Sequence, residues 1–220
     1  MSHLDDVEFA MNPDPRCPCV LLLDTSGSMD GANIELLNRG LQAFQQDVSQ
    51  SELARRRVEV AIVTFGNGGV RQIQDFITVD NFYPPVLSAG GDTPMGAAIN
   101  LALDMLSARK AQYKANAIAF YRPWVFMLTD GAPTDSWRAA AQRVRSEDAN
   151  KSVAFFTVAV EGADMQTLAQ IAPPTRKPVK LQGLNFVEMF LWLSRSQQRV
   201  SAAKPGENVG LTPVDGWAVV

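Results

Sequence analysis

With 46% hydrophobic content over 220 residues, the chain can bury one core that needs no staples. Twenty basic residues against 23 acidic ones leave a net charge of −3 and no basic tract, which excludes the usual nucleic-acid binder. No apolar stretch approaches the roughly 20 residues of a membrane span, and the acidic start Met1-Ser2-His3-Leu4-Asp5-Asp6 is unlike a signal peptide, so a cytoplasmic protein with no membrane partner is expected.

Residues 1–16, polar and acidic with Pro13 and Pro15, have the composition of an arm lying over the surface. A first strand is expected from Cys17, with Pro18 tolerated at its start. Cys17 and Cys19 are too few and too close for a disulfide framework and lack the further ligands of a soft-metal site. They read as small apolar residues on one strand face. The run Val20-Leu21-Leu22-Leu23 ends in Asp24-Thr25-Ser26-Gly27-Ser28, after which Ile34, Leu37, Leu41, Phe44 and Val48 form the stripe of a helix over about 31–50.

Val58 to Phe65 and Val70 to Ile77 flank Gly66-Asn67-Gly68-Gly69, a hairpin signal that puts the second run antiparallel at a sheet edge. Gly90-Gly91-Asp92-Thr93-Pro94 opens a helix to about Arg109, marked by Met95, Ala98, Ile99, Ala102, Met105 and Leu106. Residues 110–122 read equally well as a helical extension or a loop. Trp124 to Thr129 is a fully apolar strand ending at Asp130, Asp135 to Ala149 a helix, and Ser152 to Val160 another buried strand. A short helix near 164–171, a brief strand Val179–Leu181 and a last helix from Phe186 to Val200 follow, and residues 201–220 end as a tail without helical period. This alternation implies an α/β fold with a mostly parallel sheet covered by helices on both faces.

Five oxygen-bearing side chains fall at three of these junctions: Asp24, Ser26 and Ser28, then Thr93, then Asp130. Mg²⁺ prefers hard oxygen ligands in a near-octahedral shell. Alternate residues of an extended loop point the same way, so Asp24, Ser26 and Ser28 can face one point, and ligands collect at the carboxyl ends of strands where the strand order reverses. A dication held by only two carboxylates stays electrophilic. It would gain from an Asp or Glu supplied by a partner protein. Each residue also has a plainer role: Ser26, Ser28 and Asp30 as turn and N-cap residues, Thr93-Pro94 as an ordinary helix start, Asp130-Gly131 as a turn and Asp135 as the N-cap of the next helix.

In order and context, Asp24-Thr25-Ser26-Gly27-Ser28, Thr93 and Asp130 resemble the metal-ion-dependent adhesion site of the von Willebrand factor A family. The resemblance covers about residues 17–200 and implies a Rossmann-like fold with one antiparallel edge strand. It implies Ser26, Ser28 and, in some states, Thr93 binding Mg²⁺ (or Mn²⁺ or Ca²⁺) directly, with Asp24 and Asp130 often acting through water. The stretch from Tyr121 to Asp135, and less specifically the tail from Gly210 to Val220, is similar to the bacterial tellurium-resistance proteins of the TerY type. That likeness implies a cytosolic stress-response component working beside a protein kinase and a phosphatase.

The expected function is thus non-enzymatic, metal-dependent protein binding. A metal-independent scaffold and an adaptor for a kinase, a phosphatase or an AAA-type ATPase are the alternatives. A Mg²⁺-dependent phosphatase using Asp24 is more remote, because the general acid such enzymes carry two residues on is here Ser26. Tyr121, Trp124 and Trp137 surround the third loop in sequence and could contribute to an interaction face, although Trp124 reads as core and Trp137 as packed on its own helix.

Overall fold

The computed structural model describes residues 9–214 and 216–219. Seven strands form one sheet among these residues: β1 (Cys17–Thr25), β2 (Val58–Gly66), β3 (Gly69–Thr78), β4 (Trp124–Thr129), β5 (Ala154–Ala159), β6 (Val179–Leu181) and β7 (Ala218–Val219), in the order β3-β2-β1-β4-β5-β6-β7. The five strands from β2 to β6 in that order are parallel. β3 returns antiparallel on β2 through the Gly66–Gly69 turn, as its half-exposed pattern requires of an edge strand. A second antiparallel pairing, β7 on β6, closes the opposite edge from within the tail. The β-prone residues there are too few to show a strand period; Trp217, buried against Trp192 at 5.3 Å between ring centroids, fixes the chain there.

The helices are α1 (Ala32–Val48), α2 (Glu52–Arg57), α3 (Met95–Ala115), α4 (Arg138–Ala149), α5 (Met165–Ile171) and α6 (Phe186–Ala202). Residues 110–115 belong to α3, so the helical reading of that ambiguous stretch holds as far as Ala115. Because side chains alternate along a strand, β1 sends Cys17, Cys19, Leu21 and Leu23 to one face and Val20 and Leu22 to the other. The first face is covered by α1 and α6, the second by α3, α4 and α5. Both cysteines are free and buried, with the Cys17 thiol donating to Gln197 Oε1 at 2.9 Å. Burial pushes both thiols up, keeping them protonated and inert.

The expected surface arm is only partly on the surface. Residues 1–8 lie outside the described part, but Phe9 and Arg16 are buried. At the amino ends of the parallel strands Arg16 Nε donates to Glu59 Oε1 at 2.8 Å, Arg109 Nε donates to Glu59 Oε2 at 2.9 Å, and the Tyr113 hydroxyl donates to the same carboxylate. The Phe9 ring covers both guanidinium groups, at 5.5 and 4.9 Å. Composition announces none of this, since a Glu inside a buried strand looks like an error until its two arginines, 43 and 50 residues away, are in place.

Removing one partner of a buried charge cluster leaves the others uncompensated, so Glu59→Ala is expected to cost about 3–5 kcal/mol. Urea unfolding reads this as a lowered midpoint; a loss below about 1 kcal/mol would mean that the arginines find water instead.

Candidate metal centre

The chain runs from β1 out to β2 and β3 and then returns to the other flank of β1 as β4. Loops leaving two such strands diverge to opposite faces and open a crevice at their carboxyl ends. Into this crevice come the loop after β1 and the loop after β4.

Asp24 is fully buried near the end of β1. Its Oδ1 accepts the Ser26 backbone N–H at 2.8 Å, and its Oδ2 accepts the Thr129 hydroxyl at 2.5 Å from the end of β4. Burial pushes the Asp24 carboxyl up, hydrogen bonds from Ser26 and Thr129 pull it back, and the Asp130 charge adds to the rise. The Ser26 and Ser28 hydroxyl oxygens are 3.1 Å apart, and Ser28 donates to Asp130 Oδ1 at 2.6 Å. Burial likewise raises the Asp130 carboxyl, opposed by hydrogen bonds from Ser28 and Asn33. A single turn of 3-10 helix over Gly27–Met29 follows, and neither it nor α1 has a side-chain cap from its own N-cap residue. The serines therefore do not serve as caps.

The second loop is tied on by backbone groups. Gly90 N–H and Asn67 N–H donate to the Thr25 carbonyl at 2.9 and 3.1 Å, and Gly27 N–H donates to the Gly91 carbonyl at 3.0 Å. Gly91 has φ +72°, and a Cβ there would lie 2.8 Å from the Gly66 carbonyl oxygen, so only glycine allows this approach. Thr93 is buried at the rim. A Cβ added to Gly131 would stand 3.3 Å from Thr93 Oγ1 and 3.8 Å from Asp24 Oδ2, which sets the threonine hydroxyl and the carboxylate around one glycine.

Asp135 departs from expectation. It caps α3 rather than α4, accepting Gly96 N–H at Oδ1 and Ala97 N–H at Oδ2, both at 2.8 Å, while Trp137 is the N-cap residue of α4. Thr93 is thereby released from helix-start duty, and its hydroxyl makes no hydrogen bond to a described residue. Thr93 is joined to Thr134 through its backbone instead, Thr134 N–H donating to the Thr93 carbonyl at 2.9 Å and Thr93 N–H to the Thr134 side-chain hydroxyl at 3.1 Å.

Asp24, Ser26, Ser28 and Asp130 thus form one hydrogen-bonded chain with Thr93 beside it. Three hydroxyls and two carboxylates are a hard donor set that suits Mg²⁺ and its relatives. No group of three His, Cys, Asp or Glu that could hold a metal occurs among the described residues, so neither a soft site nor an acidic cage competes with it. Sequence reasoning missed Thr129, Thr134 and Asn33. Thr129 had a signal, being the one hydroxyl residue closing an apolar strand; Asn33 had none. Of the three aromatic residues around the third loop, Tyr121 and Trp124 are buried, the Tyr121 hydroxyl donating to the Ser201 and Ala203 carbonyls, and only Trp137 remains partly exposed.

The model of the von Willebrand factor type A domain matches residues 19–187. No curated protein matches the chain in sequence. Among solved structures the fold is similar to the pilus adhesin SpaC from Lactobacillus rhamnosus GG in its open conformation, with 15% identity, a TM-score of 0.68 and coverage of 84% of this chain and 30% of that one. It is similar to proximal thread matrix protein 1 from the mussel byssus with a zinc occupied MIDAS motif, at 17% identity and TM-score 0.60 over 84% of this chain and 48% of that one. Manganese-loaded Plasmodium vivax TRAP protein is a third, at 20% identity and TM-score 0.52 over 80% of this chain and 73% of that one. The chain spans less than half the length of the first two. At such identities the likeness is one of fold.

Losing a cap costs about 0.5–2 kcal/mol, so Asp135→Ala is expected to lower the urea midpoint accordingly with the slope unchanged. An unaltered midpoint would show that water replaces the carboxylate at the start of α3.

Proposed function

The chain belongs to the von Willebrand factor A family, and from that premise we propose that it is a non-enzymatic, divalent-cation-dependent protein-binding module whose metal shell is completed by an Asp or Glu of a partner protein. Asp24, Ser26, Ser28, Thr93 and Asp130 would hold the ion, with Mg²⁺ as the physiological occupant and Mn²⁺ or Ca²⁺ as substitutes. When bound, the ion supplies a hard positive centre open to one more anionic oxygen. The single observation behind this reading is the run from Asp24 through Ser26 and Ser28 to Asp130, linked by hydrogen bonds across two separate pieces of chain, with Thr93 of a third beside it. The zinc occupied MIDAS of the mussel protein and the manganese-loaded state of the Plasmodium protein support it by analogy of fold.

Asp24 is poorly set up as a phosphatase nucleophile: the residue is fully buried and both its oxygens accept hydrogen bonds. No helix among the described residues is long and apolar enough to cross a membrane. The likeness of Tyr121 to Asp135 to TerY-type proteins supports a narrower reading, a cytoplasmic stress-response component whose partner is a kinase or phosphatase.

Thermal unfolding with Mg²⁺, Mn²⁺, Ca²⁺ or EDTA tests the metal. An ion at about 100 times its dissociation constant stabilises by about 2.7 kcal/mol, roughly 5–10 °C for a chain of this size. Ser28→Ala is expected to remove that shift, and its melting temperature in EDTA reads separately what the lost hydrogen bond to Asp130 costs. Absence of a shift with all three ions, or an equal shift in the variant, would overturn the assignment.

A further inference from the structure

A groove of about 690 Å³ runs between α4 and α5, beginning at Trp137, seven residues after Asp130. One wall is a single stripe of α4, Arg138, Gln142 and Arg145, and the opposite wall is Met165 and Ala169 of α5. The 172–178 loop closes the end with Pro173, Pro174, Pro178 and Lys177. Three cations line this groove and no acid does.

Such an imbalance is unexpected in a chain with more acids than bases. Cations close by are paired in the ordinary way: Arg143, also on α4, meets Asp104 at 2.5 Å, and Arg122 and Arg176 share Asp148. Arg138, Arg145 and Lys177 have no carboxylate partner among the described residues. Arg138 lies over the Trp137 ring at 5.1 Å, and Arg145 donates to the Gln170 carbonyl, so both guanidinium groups are held in place without being neutralised. Between them the surface is apolar, with Met165 38% exposed.

We propose that this groove binds an extended acidic segment of a partner protein. Arg138 and Arg145 are seven residues apart on one helix, a rise of about 10.5 Å, and three residues of polyproline II chain, which brings every third side chain back to the same face, span about 9 Å. The segment therefore carries two carboxylates three residues apart, flanking an apolar side chain that sits on Met165 and the prolines. Choosing a protein as the occupant rests on the interaction-module reading; the charge and shape of the groove do not depend on the metal.

The test is panning of a random-peptide display library on the full chain in EDTA, which silences the metal face, followed by fluorescence anisotropy with the enriched peptide. Enriched sequences are expected to carry acids at the three-residue spacing. Charge reversal in R138E/K177E, and separately in R145E, is expected to weaken binding by about tenfold or more, with Ser28→Ala without effect. Added salt should weaken it as well. Enrichment of no sequence, enrichment of neutral or basic sequences, affinity unchanged by both charge reversals, or displacement by a single-stranded oligonucleotide more readily than by the peptide would overturn the proposal. Since EDTA is present throughout, failure here leaves the thermal-shift result standing, and the reverse.

Discussion

A carboxylate withdrawn from water is costly unless its oxygens find donors, and Asp24 finds one on each side: the Ser26 N–H of its own loop and the Thr129 hydroxyl of the neighbouring strand. The first bond bends the chain so that Ser26 and Ser28 face Asp130. The second fixes the loop after β1 against the end of β4. Together with the Ser28 hydrogen bond to Asp130, this carboxylate ties the two junctions into one shared oxygen cluster.

The two ends of the sheet treat buried acid in opposite ways. Glu59, at the amino ends, is met by two guanidinium groups and a phenol, so its charge is answered within the chain. Asp24 and Asp130, at the carboxyl ends, receive only neutral donors, and neither makes an ion pair with a described residue. Burial raises both carboxyls for that reason. One cluster is electrostatically complete and serves the fold; the other lacks positive charge, which is the physical ground for reading it as a cation site.

Much of this was legible in sequence because period and junction chemistry are local. The stripe from Ile34 to Val48, the apolar run Trp124 to Thr129 and the Gly66-Asn67-Gly68-Gly69 turn each specify their element within a dozen residues. Rules of strand order then bring Asp24 and Asp130 to one crevice. What escaped is non-local. The Glu59 cluster depends on residues 43 to 54 positions away, and β7, only two residues long, is too short to show a period and is fixed where Trp217 packs on Trp192. The overlooked helix Glu52–Arg57 is short and mostly polar, with Ala54 its one buried residue, too little for a periodic signal.

Asp135 shows why a motif's residues cannot be weighed one at a time. Taken alone, Thr93 before Pro94 is best explained as a helix start, and a hydroxyl engaged in capping cannot also coordinate. The structure divides the work: Asp135, from the far end of the third loop, accepts two N–H groups of α3, and the Thr93 hydroxyl is left facing Asp24 across Gly131. An acidic group is also the better cap, since it meets the partial positive charge of the helix end. The third loop thus contributes twice, through Asp130 as an oxygen of the cluster and through Asp135 as the group that frees another. Sequence spacing alone could not separate those roles, because a carboxylate at a loop end caps whichever helix the fold brings to it.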